Sequence, residues 1–399
     1  MKFSLKKLGA SAGLLGVIAA PVIGLTASQA GAVPTPTAHH QDLESAGSDT
    51  IYWATVAIDN LYNASTNAKT GFNKGADHVG AIPPVVTAPF PTSYSTGSDA
   101  NCGVTTYNSG NLPPNGSSAG ISALTADGST GCIDYARSSR GTKAGDAANM
   151  DFWAFGLDAL SVGRFPKNKT QNPLTTYAPP NLTQAQIIQI YTCNPATGLP
   201  FISDWKQVNP ALAKKAGTFP IQKFSPQTSS GTYSFFNSKI LNGATIDAGC
   251  NSSHLSTFIE EHDGAEVPIA SRPWAIFPMS YAQWHSDSSK KTPDLRGGIT
   301  EMDINGVVPG PKTINESASR FLGTRYVYNV TRPVEPDYFN VLDLVAADNN
   351  GAGFICAGKA KATIKAFGFQ ALASATTGTT SSGTNITLAT QCRVNPVPL

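Results

Sequence analysis

The chain has 399 residues, of which 28 are lysine or arginine and 26 are aspartate or glutamate, giving a formal net charge of +2. Charged residues make up only 14% of the chain, so the composition excludes the basic footprint of a nucleic-acid-binding or peripheral membrane protein. The length exceeds that of one ordinary hydrophobic core and favours two lobes.

The first 32 residues have the pattern of a secretory signal peptide. Three lysines open the segment, an uncharged apolar stretch covers residues 8–25, and Ala30-Gly31-Ala32 supplies small residues for cleavage. An uncleaved membrane anchor is the alternative, because the apolar stretch is almost long enough to cross a bilayer. No cysteine lies at the cleavage point to take a lipid, and no later stretch could span a membrane. We therefore expect a secreted protein in which residues 33–43 form a flexible N-terminus.

The cysteines form an even set, which predicts disulfide bonds in an exported chain. Many pairings are possible, and sequential pairing is favoured because it closes local loops. Zinc is the alternative, but there is no Cys-x-x-Cys motif and no metal-spaced cluster of acidic residues. We therefore expect no bound metal and no cofactor. The cysteines are Cys102, Cys132, Cys193, Cys250, Cys356 and Cys392.

The first half of the chain opens with a predicted helix. Apolar side chains recur at helical spacing from Ile51 through Ala54 to Ile58, just after hydroxyl and carboxyl side chains that can cap a helix. The elements predicted here are this helix from its Ser48-Asp49-Thr50 cap, a long loop at 86–118 tied down by a disulfide, a helix at 121–126, and strands at 132–136 and 151–160.

The second half contains the clearest helix signal in the chain. Thr183 and Gln186 have the spacing of a capping box for a helix that runs through Tyr191. The other predicted elements are strands at 219–224, 274–279 and 325–330, helices around 235–240, 338–346 and 358–366, and a low-complexity surface loop at 375–386. The alternation of strands and helices predicts an α/β fold with mostly parallel sheets.

Four loops rich in serine, threonine and glycine each open a predicted helix or follow a predicted strand. They are Gly47-Ser48-Asp49-Thr50, Gly116-Ser117-Ser118-Ala119-Gly120, Arg137-Ser138-Ser139-Arg140-Gly141 and Ser229-Ser230-Gly231-Thr232. Hydroxyls and unpaired N–H groups at such places can bind an oxyanion. A single such loop is uninformative, because the same residues are ordinary helix caps.

The order of these loops resembles that of a known family. The motifs that carry the resemblance are Ala46–Ile51, Asn115–Ile121, Asp134–Arg140, Leu182–Ile187, Ser229–Thr232 followed by Phe235-Phe236, and Glu261–Gly264 before Trp274–Ile276. In this order the chain resembles the phosphate-binding proteins of bacterial ABC importers, a branch of the type 2 periplasmic-binding-protein superfamily. The resemblance covers roughly residues 44–372.

The resemblance implies two α/β lobes, each a mixed, mostly parallel sheet flanked by helices, with a cleft between them. Projected onto this chain, lobe 1 comprises residues 44–160 and 278–399 and lobe 2 residues 161–277, with crossovers near 159–163 and 272–280. The implied bridges are Cys102–Cys132 and Cys356–Cys392 in lobe 1 and Cys193–Cys250 in lobe 2.

The resemblance also implies a function without catalysis. A monomer would capture inorganic phosphate or a similar oxyanion in the cleft and deliver it to the membrane permease of an ABC importer, with no role for nucleic acid. The ligand-binding residues that the resemblance implies are Thr50, Ile51, Ser117, Ser138, Ser230, Gly231 and Thr232. The neighbouring residues Asp49, Ser118, Ser139 and Arg140 complete the predicted ligand-binding set.

Two positions depart from the family pattern. Pro226 stands where many relatives carry an arginine, and Ser139 stands where well-studied members carry an aspartate that accepts the proton of hydrogen phosphate. Such a carboxylate rejects fully ionised sulfate, because two facing acceptors leave both unpaired. The candidate replacements are Arg140 or Arg137 for the cation, and Asp49 or Asp134 for the proton acceptor.

Two other functions are kept as alternatives. One is a secreted phosphate scavenger that feeds no transporter. The other is an extracellular phosphatase or esterase, since Gly116–Gly120 matches the Gly-x-Ser-x-Gly elbow and His254, His262 and His285 could supply a base. That elbow needs a strand running into it, and here Pro113-Pro114-Asn115 precedes it, which favours a loop.

Overall fold

The computed structural model describes residues 43–65, 76–78, 114–128, 133–332 and 338–399. The predicted signal peptide, nearly all of the predicted flexible N-terminus, most of the predicted 86–118 loop and the Cys102–Cys132 bridge lie outside the described residues.

The strands are numbered in chain order. They are β1 (Leu43–Gly47), β2 (Ala76–His78), β3 (Tyr135–Ser138), β4 (Asp151–Arg164), β5 (Asn181–Leu182), β6 (Gln222–Pro226), β7 (Thr257–Ile259), β8 (Ala275–Ser280), β9 (Thr300–Glu301), β10 (Asp303–Ile304), β11 (Thr324–Thr331), β12 (Gln370–Ala371), β13 (Ala375–Thr379), β14 (Asn385–Thr390) and β15 (Arg393–Val394).

The α-helices are numbered in the same way. They are α1 (Tyr52–Asn63), α2 (Ser117–Asp127), α3 (Gln184–Tyr191), α4 (Gly231–Phe235), α5 (Tyr281–Ser288), α6 (Tyr338–Val345) and α7 (Lys361–Ala366). A π-helical turn at Phe236–Ile240 continues α4. Short 3₁₀ turns lie at Trp205–Gln207, Pro210–Leu212, Ser252–His254, Gly264–Glu266 and Ile269–Ser271.

One large sheet organises the molecule, with strand order β2-β1-β3-β11-β4-β8-β6-β7 and with β9, β12 and β15 also paired to β4. The three strands at each end of this order are parallel to one another. Strand β11 is antiparallel to both of its neighbours, and β4 is antiparallel to β8. The predicted mixed α/β fold is therefore confirmed, with the parallel pairs at the ends and the antiparallel pairs in the middle.

Strand β4 belongs to both halves of the sheet. Its residues up to Ala159 pair with β11, and Leu160–Gly163 pair with β8. The segments predicted as crossovers lie at the end of β4 and around the start of β8, and their role as crossovers stays a prediction. We call the strand group β2-β1-β3-β11 with the first part of β4 lobe 1, and the group β8-β6-β7 with the end of β4 lobe 2. The exact boundaries at 160/161 and 277/278 stay predictions.

The sheet topology also decides where the hydroxyl-rich loops lie. Because β1 and β3 are parallel neighbours, the loops after Gly47 and Ser138 leave the same edge of the sheet. In the other lobe β6 and β7 are parallel neighbours, so the loops after Pro226 and Ile259 also start together. Ligands of open α/β sheets bind outside such carboxyl ends.

A buried apolar core covers the faces of the sheet. Phe152, Leu157 and Val162 of β4 are buried with Trp205 in one cluster that extends through both strand groups. Tyr191 at the end of α3 anchors this helix to the sheet, because its hydroxyl donates to the carbonyls of Phe224 (3.0 Å) and Ile276 (3.1 Å). The close packing of this shared core fixes the positions of the strands from which the site loops start.

Most predicted elements exist, with shifted ends. The capping box is confirmed: the Thr183 hydroxyl accepts from the Gln186 N–H, and the Gln186 side chain accepts from the Thr183 N–H. The Cys193–Cys250 and Cys356–Cys392 disulfides are confirmed. Helix α2 starts at Ser117 and not at 121, and β3 extends over Arg137 and Ser138, which were predicted to lie in a loop.

The predicted surface loop at 375–386 is wrong. Most of this segment belongs to the antiparallel hairpin of β13 and β14. Its β-branched residues favour strand geometry despite the low complexity of the sequence, and Thr377 and Ile386 are buried. The run of threonine, serine and glycine therefore encodes a hairpin with its turn.

Candidate functional site

The four hydroxyl-rich loops come together at one place. Backbone hydrogen bonds link them in a chain, from the Ser48 N–H to the Arg137 carbonyl (3.0 Å) and from the Gly116 N–H to the Gly47 carbonyl (3.3 Å). The Ser118 N–H then donates to the Ser229 carbonyl (3.2 Å), which joins the two lobes. Loops separated by up to about half the chain therefore share one neighbourhood.

Gly231 lies where three of these loops are closest. A Cβ atom on Gly231 would overlap with the hydroxyl oxygens of both Ser117 and Ser139. These two hydroxyls are 3.3 Å apart, and the Ser139 N–H donates to Ser117 Oγ at 2.9 Å. The absence of a side chain at position 231 is therefore what allows the lobe 2 loop to approach the lobe 1 hydroxyls.

The helices that start here are capped differently. The Ser230 hydroxyl caps α4 by accepting from the N–H groups of Thr232 (2.9 Å) and Tyr233 (3.2 Å), so its oxygen is engaged within its own turn. Helix α2 has Gly116 at its N-cap position and no described side chain caps it. The N-terminus of α2 thus keeps more of its donor capacity for a neighbouring group.

A buried carboxylate, that of Glu261, lies at the centre of the hydroxyl cluster. Its Oε1 accepts from the hydroxyl of Thr50 and from that of Thr232, the latter at 2.9 Å. His262 Nε2 is 2.9 Å from the same oxygen and 2.9 Å from Thr50 Oγ1. All four side chains are buried. Loops from both lobes therefore meet on one carboxylate oxygen.

Arg325, on β11, supplies the positive charge at this cluster. Its Nη1 donates to Thr232 Oγ1 at 3.0 Å, while Nε and Nη2 donate to Asp158 Oδ2 at 3.0 and 2.8 Å. Sequence reasoning missed this arginine, since no motif surrounds it. Its only signal was its place in a predicted strand. That placement does not show on which face of the sheet the side chain lies or which residues it contacts.

The two arginines proposed from the sequence have other partners. Arg137 donates to the backbone carbonyls of Ser45 (2.9 Å) and Ser48 (3.3 Å), and so ties down the loop after β1. Arg140 forms a two-pronged ion pair with Asp146 at 2.7 and 2.8 Å. Arg140 also lies 3.3 Å from the Ser118 hydroxyl, at the rim of the cluster.

Two further predicted candidates are engaged elsewhere. Ser138 Oγ donates to the Arg140 carbonyl (2.7 Å) and accepts from the Arg140 N–H (3.3 Å), so it stabilises its own turn. Asp134 precedes β3 and accepts from the Glu44 N–H at 2.6 Å, at the opposite end of the strand from the hydroxyl cluster. Asp49, in contrast, lies beside Glu261.

The pKa values of Asp49 and Glu261 move in opposite directions. Burial, followed by the charges of Glu261 and Glu260, raises the pKa of Asp49 well above its ordinary value. Burial would also raise the pKa of Glu261, but the His262 imidazole and the Arg325 guanidinium outweigh it and lower that pKa to about 2. The pair therefore contains one ionised carboxylate, Glu261, beside a carboxyl group that keeps its proton to higher pH.

The comparisons with known proteins agree with the family suggested by the motifs. The chain is similar to the phosphate-binding protein PstS of Staphylococcus saprophyticus, with 24% identity over 201 residues. These residues are 50% of this chain and 55% of that protein, so the chain spans about half the length of the curated relative it matches. The predicted resemblance to phosphate-binding proteins is confirmed. No family model matches the chain.

Solved structures of low identity also align with most of the chain. A protein from Clostridium perfringens solved with bound phosphate is 14% identical, covers 82% of this chain and 98% of its own, and has a TM-score of 0.49. An ABC-type phosphate transport receptor from Vibrio cholerae is 15% identical over 82% and 99% of the two chains, with a TM-score of 0.46. PstS from Borrelia burgdorferi is 17% identical over 83% and 98%, with a TM-score of 0.43. The fold assignment rests on the strand order and registers given above.

Within the residues that the structure describes, no helix has the length and hydropathy needed to cross a bilayer.

Proposed function

We propose that the protein is an exported solute-binding protein that captures inorganic phosphate or a similar oxyanion for an ABC importer, without catalysing a reaction. The observation that carries this proposal is the meeting of hydroxyl-bearing loops from both lobes around Gly231, Thr232 and Glu261. The curated relative is a phosphate-binding protein, which agrees with this chemistry.

The donors suit a small tetrahedral anion. The hydroxyls of Ser117 and Ser139 are neutral donors, and the Arg325 guanidinium can add a charge-assisted bond. The hydroxyls of Thr50 and Thr232 donate to Glu261 in this arrangement and would turn towards a bound anion. Asp158 balances the charge of Arg325 through a buried ion pair. The site therefore offers many hydrogen bonds with little excess positive charge, and a bound anion would be held mainly by oriented dipoles.

Glu261 gives the site a preference among anions. An ionised carboxylate can accept a hydrogen bond from the P–OH group of hydrogen phosphate, whereas fully ionised sulfate has no proton to donate. The role that Asp49 or Asp134 was expected to fill is thus assigned in this proposal to Glu261, with Asp49 beside it. Ser139 can then be a donor where relatives carry an aspartate.

A hydrolase is less well supported by the same geometry. His262 Nε2 faces both Thr50 Oγ1 and Glu261 Oε1, while its Nδ1 has no partner among the described residues. A catalytic triad needs the acid on one ring nitrogen and the nucleophile on the other. The hydrogen bonds of Ser117 Oγ within the described chain go to Ser139, so a base for that hydroxyl is also lacking there.

Calorimetric titration with phosphate, arsenate and sulfate tests the proposal. We expect saturable binding of phosphate and arsenate, and binding of sulfate weaker by at least about a hundredfold, since facing acceptors cost roughly 3 kcal/mol. Absence of saturable phosphate binding would refute the proposal.

Gly231→Ala is the matched structural test. Its added methyl group would collide with the Ser117 and Ser139 hydroxyls, so phosphate binding should fall at least about tenfold. Gly310→Ala is the control, because a Cβ at that position meets nothing within 4 Å. Equal phosphate affinities in the two variants would show that the anion binds elsewhere.

A further inference from the structure

Three side chains at the centre of the site form a cluster of metal-ligand type, in contrast to the hydroxyl donors around it. Asp49, Glu261 and His262 each offer one ligand atom, and these atoms all lie within 4.8 Å of one another. Their residues are 6%, 1% and 2% exposed. Two carboxyl groups and an imidazole are thus held together away from water. The spacing rules applied to the sequence could not find this group, because residues 49 and 261 are far apart in the chain.

Each of the three side chains also has an atom without a partner. Asp49 Oδ1, Glu261 Oε2 and His262 Nδ1 are buried and lack a hydrogen-bond partner within the part of the chain that is described. Buried polar atoms are normally paired, and unpaired ones call for an explanation such as an ion. His262 is also held at a φ of 69°, in the left-handed region that non-glycine residues rarely adopt. This backbone conformation places its imidazole beside Glu261.

The three side chains lie close enough together to share a cation. Zinc ligands lie about 2.0–2.2 Å from the ion in tetrahedral sites, so two of them are roughly 3.3–3.6 Å apart. One ligand atom from each of Asp49, Glu261 and His262 lies within 4.8 Å of the other two, so small side-chain rotations would bring all three onto one ion. We propose that Asp49, Glu261 and His262 form a buried site for a divalent transition-metal ion, with Zn²⁺ as the best match. Imidazole and carboxylate together suit Zn²⁺ or Mn²⁺, whereas Mg²⁺ prefers oxygen ligands and retained water.

The neighbouring charges are compatible with a cation. The Arg325 guanidinium reaches the cluster through Thr232, and its charge is balanced by the two-pronged contact with Asp158. The hydroxyls of Thr50 and Thr232 donate to Glu261 Oε1 and can rotate to another acceptor when an ion binds there. A metal at this place would neutralise Glu261 and attract the anion directly, so the preference for phosphate over sulfate given by Glu261 is expected of the metal-free protein. In this respect the inference deepens the proposed function, because the ion would present open coordination positions to phosphate.

Titration calorimetry with Zn²⁺ in the absence of phosphate tests the site directly. We expect one Zn²⁺ per chain in the full-length protein, and no comparable binding of Mg²⁺. Glu261→Gln and Asp49→Asn keep the side-chain shape, and His262→Asn keeps a residue that tolerates positive φ. Each should weaken Zn²⁺ binding by more than about tenfold, since losses in the outer shell alone have effects of that size.

Matched controls separate this site from other histidines. His254→Asn removes a partly exposed imidazole in another part of the lobe 2 sequence, and the double change His39→Gln and His40→Gln removes the paired histidines near the N-terminus. Both should leave the tight Zn²⁺ isotherm unchanged. Loss of that isotherm in either control, or its persistence in Glu261→Gln and His262→Asn, would overturn the proposal. Circular dichroism of each variant confirms that it is folded.

A second titration keeps this inference distinct from the proposed function. Phosphate is added to the Zn²⁺-loaded protein and to protein kept in a chelator. If Zn²⁺ does not bind but phosphate does, the metal site is wrong and the proposed function stands. If Zn²⁺ binds at these residues and phosphate binds in neither state, the metal site stands and phosphate capture is wrong. Tighter phosphate binding to the loaded protein supports both.

Discussion

Arg325 offers the sharpest test of how the site is built. It makes two bonds to Asp158 and one to Thr232, and the paired side chains are 1% and 0% exposed. In Arg325→Gln, Asp158 would be left charged and buried, although it would keep bonds from the Ser280 hydroxyl (2.9 Å) and the Ala282 N–H (3.0 Å). Because these two bonds remain, we expect a loss of about 3 kcal/mol in the free energy of unfolding, the lower end for a broken buried ion pair.

The same change should weaken phosphate binding for a separate reason. Loss of one charge-assisted hydrogen bond corresponds to about 1.5–3 kcal/mol, or roughly ten- to a hundredfold in affinity. Adding Asp158→Asn removes the stranded charge while an amide oxygen still accepts from Ser280 and Ala282. The double variant should therefore recover most of the stability and none of the affinity.

Urea unfolding and phosphate calorimetry on the wild type and both variants measure these two quantities. Unchanged phosphate affinity in Arg325→Gln would remove this arginine from the site. Affinity that returns together with stability in the double variant would mean that Arg325 acts on the ligand only through the fold.

Two further predictions concern stability. Burial raises the pKa of Asp287 from 3.8 to about 7, so the unfolded chain releases this proton at lower pH than the folded chain does. Its contribution to stability should therefore be complete below pH 3.8 and lost as the pH rises to about 7. In urea unfolding measured over this pH range, Asp287→Asn should show a smaller change in the free energy of unfolding than the wild type does. An equal change in the two proteins would contradict the assignment. Replacing Cys193 and Cys250 together with alanine should lower the free energy of unfolding by about 4 kcal/mol, because the bridge closes a separation of 57 residues; a loss below about 1 kcal/mol in urea would count against the chain-entropy argument.

Local signals in the sequence predict local structure well. The Thr183 and Gln186 capping box depends on residues three apart, so both its hydrogen bonds can be inferred without knowledge of the rest of the fold. The hairpin at β13 and β14 was missed because its low-complexity sequence hides the strand preference of its threonines. The start of α2 at Ser117 was missed because serine and glycine are poor helix formers in isolation.

The site itself could be predicted only in part. The hydroxyl loops were found because each is a short motif at a strand or helix end. Glu261 and Arg325 are 211 and 275 residues from Thr50 in the chain, and the sheet order brings them together. No periodicity or spacing in one sequence shows that β11 lies between β3 and β4. Predicting ionic and hydrogen-bond partners that are far apart in the chain therefore requires the strand order, whereas the hydroxyl-rich loops can be found without it.

Asp158, on β4, connects three other elements of the fold through its side chain. Its carboxylate accepts hydrogen bonds from Arg325 on β11, from the Ser280 hydroxyl at the end of β8 and from the Ala282 N–H in α5. A substitution there would loosen β4 from β11 and from the start of α5 and, through Arg325, disturb the proposed anion site. In the wild-type chain the stability of the fold and the proposed binding of the ligand therefore both depend on Asp158, and the two effects separate only when Arg325 is changed as well.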